Sequence, residues 1–130
     1  MSTLNELVLP PEESEILAGK DVFNDGETAF VWIEFYRDKE VGLYPSHYPI
    51  TNSCFSDCRR IIPAPTLEEM LRKIEILSAP NTWEMWKSIN FNVYTIRKYN
   101  LLGLSSVKEY SHTDPKLAAF ALLLAEKETP

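Results

Sequence analysis

A chain of 130 residues with 45% apolar and 25% charged residues is long enough, and apolar enough, to fold as one globular domain over residues 1–130. Its net charge of −6 argues against a partner held through a phosphate backbone, and no apolar run approaches the ~20 residues of a membrane helix. The opening MSTLNELVLPPEESE has no basic segment leading into an apolar one, so a cytoplasmic protein is expected, with neither nucleic acid nor membrane as partner. The acids are scattered (Glu12, Glu13, Glu15; Glu68, Glu69; Glu126, Glu128), which suits a solubilising surface better than a nucleic-acid mimic.

Leu4–Leu9 reads as a short strand or extended arm. Pro10-Pro11 then opens a short helix over 11–18, because a first-turn proline lacks only an N–H that would be unpaired anyway. Gly19 is placed to end it, and Asn24-Asp25-Gly26 is a turn signal. Ala29–Tyr36 (AFVWIEFY) is the strongest strand, with Ala29, Val31, Ile33 and Phe35 on one face and Phe30, Trp32, Glu34 and Tyr36 on the other. Two largely apolar faces place it centrally in a sheet. Arg37–Glu40 is a charged turn into a hairpin partner over Val41–Tyr44, kept short or at an edge by Pro45 and Pro49.

Pro45–Arg60 is a long irregular connection, of the kind that often carries function. Ile61-Ile62 runs into Pro-Ala-Pro, and Thr66-x-x-Glu69 forms a capping box for an amphipathic helix. Leu67, Met70, Leu71, Ile74 and Leu77 make its apolar stripe. Ser78–Lys87 reads as a loop bearing Trp83 and Trp86, Ile89–Lys98 as a strand with Phe91, Val93 and Thr95 on one face, and Leu104–Tyr110 as a weaker strand. Asp114 and Pro115 are a good N-cap and first helical residue. The helix they start carries Leu117, Phe120, Ala121 and Leu124, widened by Ala118, Leu122 and Ala125. The expected fold is α+β: a mainly antiparallel sheet of about four strands, packed with two longer helices and a short N-terminal one.

The candidate chemistry is thin. Cys54 and Cys58, spaced C-x3-C, with His47 and His112, offer four soft zinc ligands, but structural zinc sites come as two tight pairs and the histidines form none. No metal or other cofactor is expected. Glu34 inside an apolar strand is a candidate burial-shifted acid, though a paired glutamate is the commoner explanation. Arg59-Arg60 offers a carboxylate or phosphate clamp, against the plainer role of solvating a loop. No nucleophile–base set or glycine-rich phosphate loop is present. The aromatics in irregular segments, Tyr44, Tyr48, Trp83 and Trp86, are the candidate partner-binding residues; covering the ends of the core is their competing role.

The order of segments, from Leu7-Val8-Leu9-Pro10 through the aromatic hairpin and Ile62-Pro63-Ala64-Pro65-Thr66-Leu67-Glu68-Glu69-Met70 to the helix of Asp114–Leu123, resembles a class of small uncharacterised proteins encoded by phages, prophages and conjugative elements. The resemblance implies a compact α+β fold and a mobile-element origin, and no activity. The expected function is that of a non-enzymatic accessory protein acting on an unknown protein partner. The alternatives are an acidic immunity or anti-defence inhibitor of a basic enzyme or DNA-binding protein, and a small zinc-binding protein. The edge strand and the Leu4–Leu9 arm leave room for a homodimer.

Overall fold

Period-two patterning and turn chemistry resolve into six strands in two antiparallel three-stranded sheets, where a single sheet of about four strands was expected. The class is α+β, as expected. The computed structural model describes residues 4–24, 26–35, 41–46, 58–79, 81–100 and 106–128. Its residues group into two compact units, Met1–Thr66 and Leu67–Pro130. No helix among the described residues is long and apolar enough to cross a membrane.

The first unit contains helix α1 (Pro11–Gly19) and strands β1 (Phe30–Phe35), β2 (Val41–Pro45) and β3 (Cys58–Ala64), in the order β2-β1-β3. The FVWIEF strand is central and the proline-terminated strand lies at an edge, as their patterns predict. Cross-strand register puts Trp32 beside Ile62 and Phe30 beside Ala64, and Val8 and Ala18 pack on that face. The N-terminal segment differs from a plain strand or arm: Leu4–Leu7 is one 3-10 turn, and only Val8-Leu9 is extended. Those two residues are fully buried. Val8 bridges Thr66, and the Leu9 N–H donates to the Pro65 carbonyl at 2.9 Å. The Leu9 carbonyl accepts from the Trp32 Nε1–H at 2.9 Å and the Ser14 hydroxyl at 3.0 Å, so one peptide group ties sheet, helix and arm together. Helix α1 ends at Gly19 as expected, with Gly19 as its last helical residue, and Asp21 takes positive φ (55°) two residues later. Aspartate tolerates that region better than most side chains. The long connection is shorter than expected at its C-terminal end, because Cys58–Arg60 already belong to β3.

The second unit contains α2 (Leu67–Ser78), β4 (Thr82–Ser88), β5 (Val93–Tyr99), β6 (Ser106–His112) and α3 (Pro115–Glu128), with sheet order β4-β5-β6. Helix α2 starts immediately after Thr66 and buries Met70 and Ile74, as the stripe predicts. The buried Ser78 side chain satisfies itself on the Ile74 carbonyl at 2.6 Å. Asp114 caps α3 by accepting the Lys116 N–H at 2.9 Å. The α3 face matches the expected one in part: Ala118 and Leu122, which widened the stripe, are buried together with Ala119 and Leu123, whereas Leu117, Phe120, Ala121 and Leu124 are half-buried. A helix apolar on so many sides leaves its inward face to packing rather than to periodicity.

The segment expected to be a loop, 78–87, is instead the last residue of α2, a short link and most of β4. The strand expected at Ile89–Lys98 starts at Val93, and Ile89–Asn92 is the turn joining β4 to β5. Asn92 adopts φ 51° and its N–H donates to the Ser88 carbonyl at 3.1 Å. A left-handed asparagine closing a four-residue hairpin loop is ordinary turn chemistry.

Candidate functional site

The sheet of the second unit has two chemically different faces. Register places Trp83 beside Lys98 and Lys108, and Met85 beside Ile96 and Tyr110, on the side against which α3 packs. Lys98 Nζ donates to both oxygens of Glu126 on α3, at 2.8 and 3.0 Å. Lys108 donates to the Ala125 carbonyl at 3.3 Å. The opposite face carries Glu84, Arg97 and Glu109 in one row and Trp86, Thr95 and Ser111 in the next.

On that outer face Arg97 is the hub. Its guanidinium pairs with Glu109, bonds the Tyr99 hydroxyl at 3.3 Å, and lies 4.8 Å from the Trp86 ring centroid and 5.8 Å from that of Tyr99. The Tyr99 hydroxyl donates to Glu84, and Thr95 and Ser111 share a hydrogen bond at 2.8 Å. The Glu109 hydrogen bond, then that of Tyr99, raises the Arg97 pKa above its ordinary value against an opposing effect of burial, so the hub is charged at every working pH. Tryptophan, tyrosine and arginine are the three residue types most enriched at interface hot spots, and here they hold one another in place on a surface. Seven residues by three strands make a platform about 24 Å by 14 Å.

The β4–β5 turn extends this platform with apolar side chains. Ile89 is 96% exposed and Phe91 76%, the two most exposed large apolar residues described. Polar residues would complete the turn without cost, and Asn90 and Asn92 already supply its chemistry. Neither Ile89, Phe91, Arg97 nor Tyr99 was among the sequence-based candidates. The flanking asparagines in Asn90-Phe91-Asn92 were the available sign that Phe91 sits on a turn.

The four sequence-based contact residues do not form one surface. Trp86 lies on the outer platform, while Trp83 is half-buried on the helix side, three positions away on the same strand. Tyr44 is on β2, its ring laid over Gly42 and edge-on to Phe35 at 6.0 Å between centroids and 81° between planes. Tyr48, His47 and Cys54 fall outside the described residues. Cys58 lies on β3. His112 ends β6, and its Nδ1 accepts the Asp114 N–H at 3.0 Å, so that nitrogen helps build the entry to α3. Among the described residues, no three metal-ligating side chains come together.

Glu34 is buried and paired. Arg60 reaches it through Nε at 2.8 Å and a terminal nitrogen at 2.7 Å, and the same guanidinium binds Glu15 of α1. Arg60 is therefore a clamp on two carboxylates of its own chain, fastening α1 to the sheet. The Glu15 hydrogen bond, then that of Glu34, raises its pKa above the ordinary value of an arginine. A cavity of about 310 Å³ on the other face of this sheet is lined by Gly26, Thr28, Val31, Ser46, Ile61 and Pro63. Its hydroxyls are committed, Thr28 to the Phe30 carbonyl at 2.8 Å and Ser46 to the Thr28 carbonyl, so these residues supply shape without chemistry.

No family model matches the sequence, and neither the curated proteins nor the solved structures include a match to it.

Proposed function

We propose that the protein is a non-enzymatic accessory protein that binds another protein through the second unit, using the Trp86–Arg97–Tyr99 platform and the Ile89/Phe91 turn. The observation that carries this reading is the exposure of Ile89 and Phe91 on a hairpin whose turn needs neither. The platform beside them supplies preorganised aromatic and guanidinium anchors with little side-chain freedom left to lose on binding. Origin in a phage or other mobile element, and a cytoplasmic setting, belong to the same proposal and rest on the sequence resemblance.

The test is a quantitative pull-down from the native host lysate with the full chain and two variants, Trp86→Ala and Ile89→Ser/Phe91→Ser. A partner retained by the parent chain and depleted about tenfold or more by both variants supports the reading. Identical partner sets for all three proteins overturn it.

A further inference from the structure

The edge of β4 stands apart from the other sheet edges of the described structure. Strand β2 has five residues and ends at Pro45. Strand β3 contains Pro63, and the β1–β3 register shifts between Glu34 and Phe35. The β5–β6 register shifts between Lys98 and Tyr99. Prolines, bulges and shortness are the devices that blunt a sheet edge against strand addition. Strand β4 has none of them: seven residues, no proline, and continuous pairing from Thr82↔Tyr99 to Ser88↔Val93.

Beside the start of that edge lies a second cavity, about 340 Å³, lined by Glu75 of α2 together with Asn81, Thr82 and Trp83. Glu75 is exposed, and its side chain has no hydrogen bond or ion pair among the described residues. Glu75 and Trp83 thus line one recess next to an edge whose outward backbone groups have no strand partner among the described residues. A carboxylate beside an aromatic ring is complementary to a guanidinium or ammonium and to no anion.

We infer that β4 accepts an extended peptide segment of a partner protein as a fourth strand, with one basic side chain, arginine or lysine, entering the recess between Glu75 and Trp83. Backbone hydrogen bonds along Thr82–Ser88 supply the affinity and the recess supplies the choice of side chain, the division of labour general to strand addition. The inference goes beyond the function proposed above: it shares with it the premise of protein binding but uses a different surface of the same strand. The acidic balance of the chain, −6 overall, works in the same direction by favouring the approach of basic segments.

Three blocked pentapeptides test it by calorimetric titration of the full chain: Thr-Val-Arg-Val-Thr, the same peptide with glutamate replacing arginine, and the arginine peptide with alternate backbone nitrogens methylated. The arginine peptide is expected to saturate with a dissociation constant of about 0.1 to 1 mM, and each of the other two to bind about tenfold more weakly. Glu75→Gln, a substitution on an exposed helix position, should lower arginine-peptide affinity about fivefold and narrow its advantage over the glutamate peptide, with melting temperature unchanged. Absence of saturable binding by the arginine peptide, equal binding of the glutamate peptide, or full binding of the methylated one overturns the inference. So does concentration-dependent dimerisation in sedimentation that leaves no site for the peptide, which would assign the edge to a second copy. None of these results bears on the platform variants in the pull-down, so the two readings fail separately.

Discussion

Among the described residues Lys98 and Glu126 form the most enclosed ion pair, and removing one partner gives a sharp test of the second unit's packing. The Lys98 side chain is 11% exposed and that of Glu126 5%, with both carboxylate oxygens taken by the one ammonium. Lys98→Met keeps the aliphatic stem against α3 and strands the Glu126 charge, which among the described residues keeps Lys108 Nζ at 3.8 Å. Breaking a buried pair from one side costs about 3–5 kcal/mol, and the partial relief from Lys108 places this case near the lower figure. At about 4 °C per kcal/mol for a chain of this size, the melting temperature should fall by about 12 °C. The double variant Lys98→Met/Glu126→Leu should regain most of that loss, because two apolar side chains replace the pair without an orphan charge. Urea denaturation followed by both circular dichroism and tryptophan fluorescence measures the three variants and checks that the units melt together. A loss below about 1 kcal/mol for Lys98→Met, or a double variant no better than the single one, would show that water reaches the pair and that α3 does not seal this face.

Three further substitutions probe local devices. Trp32→Phe keeps most of the ring volume in the first unit's core and removes the bond to the Leu9 carbonyl; a loss of about 1–2 kcal/mol in urea midpoints is expected. Asp21→Gly relieves a side chain held at positive φ and should raise stability by about 0.5–1 kcal/mol, read as a higher melting temperature. Asp114→Ala removes the cap on α3 and should cost about 1 kcal/mol, with faster amide exchange confined to the first turn of that helix.

The elements legible in the sequence were those with one dominant signal. FVWIEF had apolar residues on both faces and became a central strand; Thr66 followed by the Met70/Ile74 period marked α2; Asp114-Pro115 marked α3. Where two signals competed, the pattern failed. The segment Thr82–Ser88 follows a proline and carries two tryptophans, which suggested a loop, yet Trp83 and Met85 alternate with Glu84 as a half-buried strand does. The partner that settles it, β5, is visible only through pairing, because an edge strand's conformation depends on its neighbour more than on its own residues. Helix α3 shows the converse: its existence was plain, but nine consecutive apolar residues, Leu117–Ala125, left its inward face undetermined by period alone.

The candidate site was half legible for a geometric reason. Trp83 and Trp86 are three residues apart, a spacing that would bring them together on a helix and sends them to opposite faces on a strand. Read as loop residues, they suggested one aromatic surface; placed on β4, they separate into two. Trp86 belongs to a stack with Arg97 and Tyr99 on the outer face, and Trp83 forms a wall of the recess beside Glu75. That separation makes the two surfaces independently testable, since Trp86→Ala leaves the recess intact and Glu75→Gln leaves the platform intact. It also fits the regularity of this proline-free edge: β4 carries chemically different side chains on its two faces, and a bulge would move one set out of register with β5.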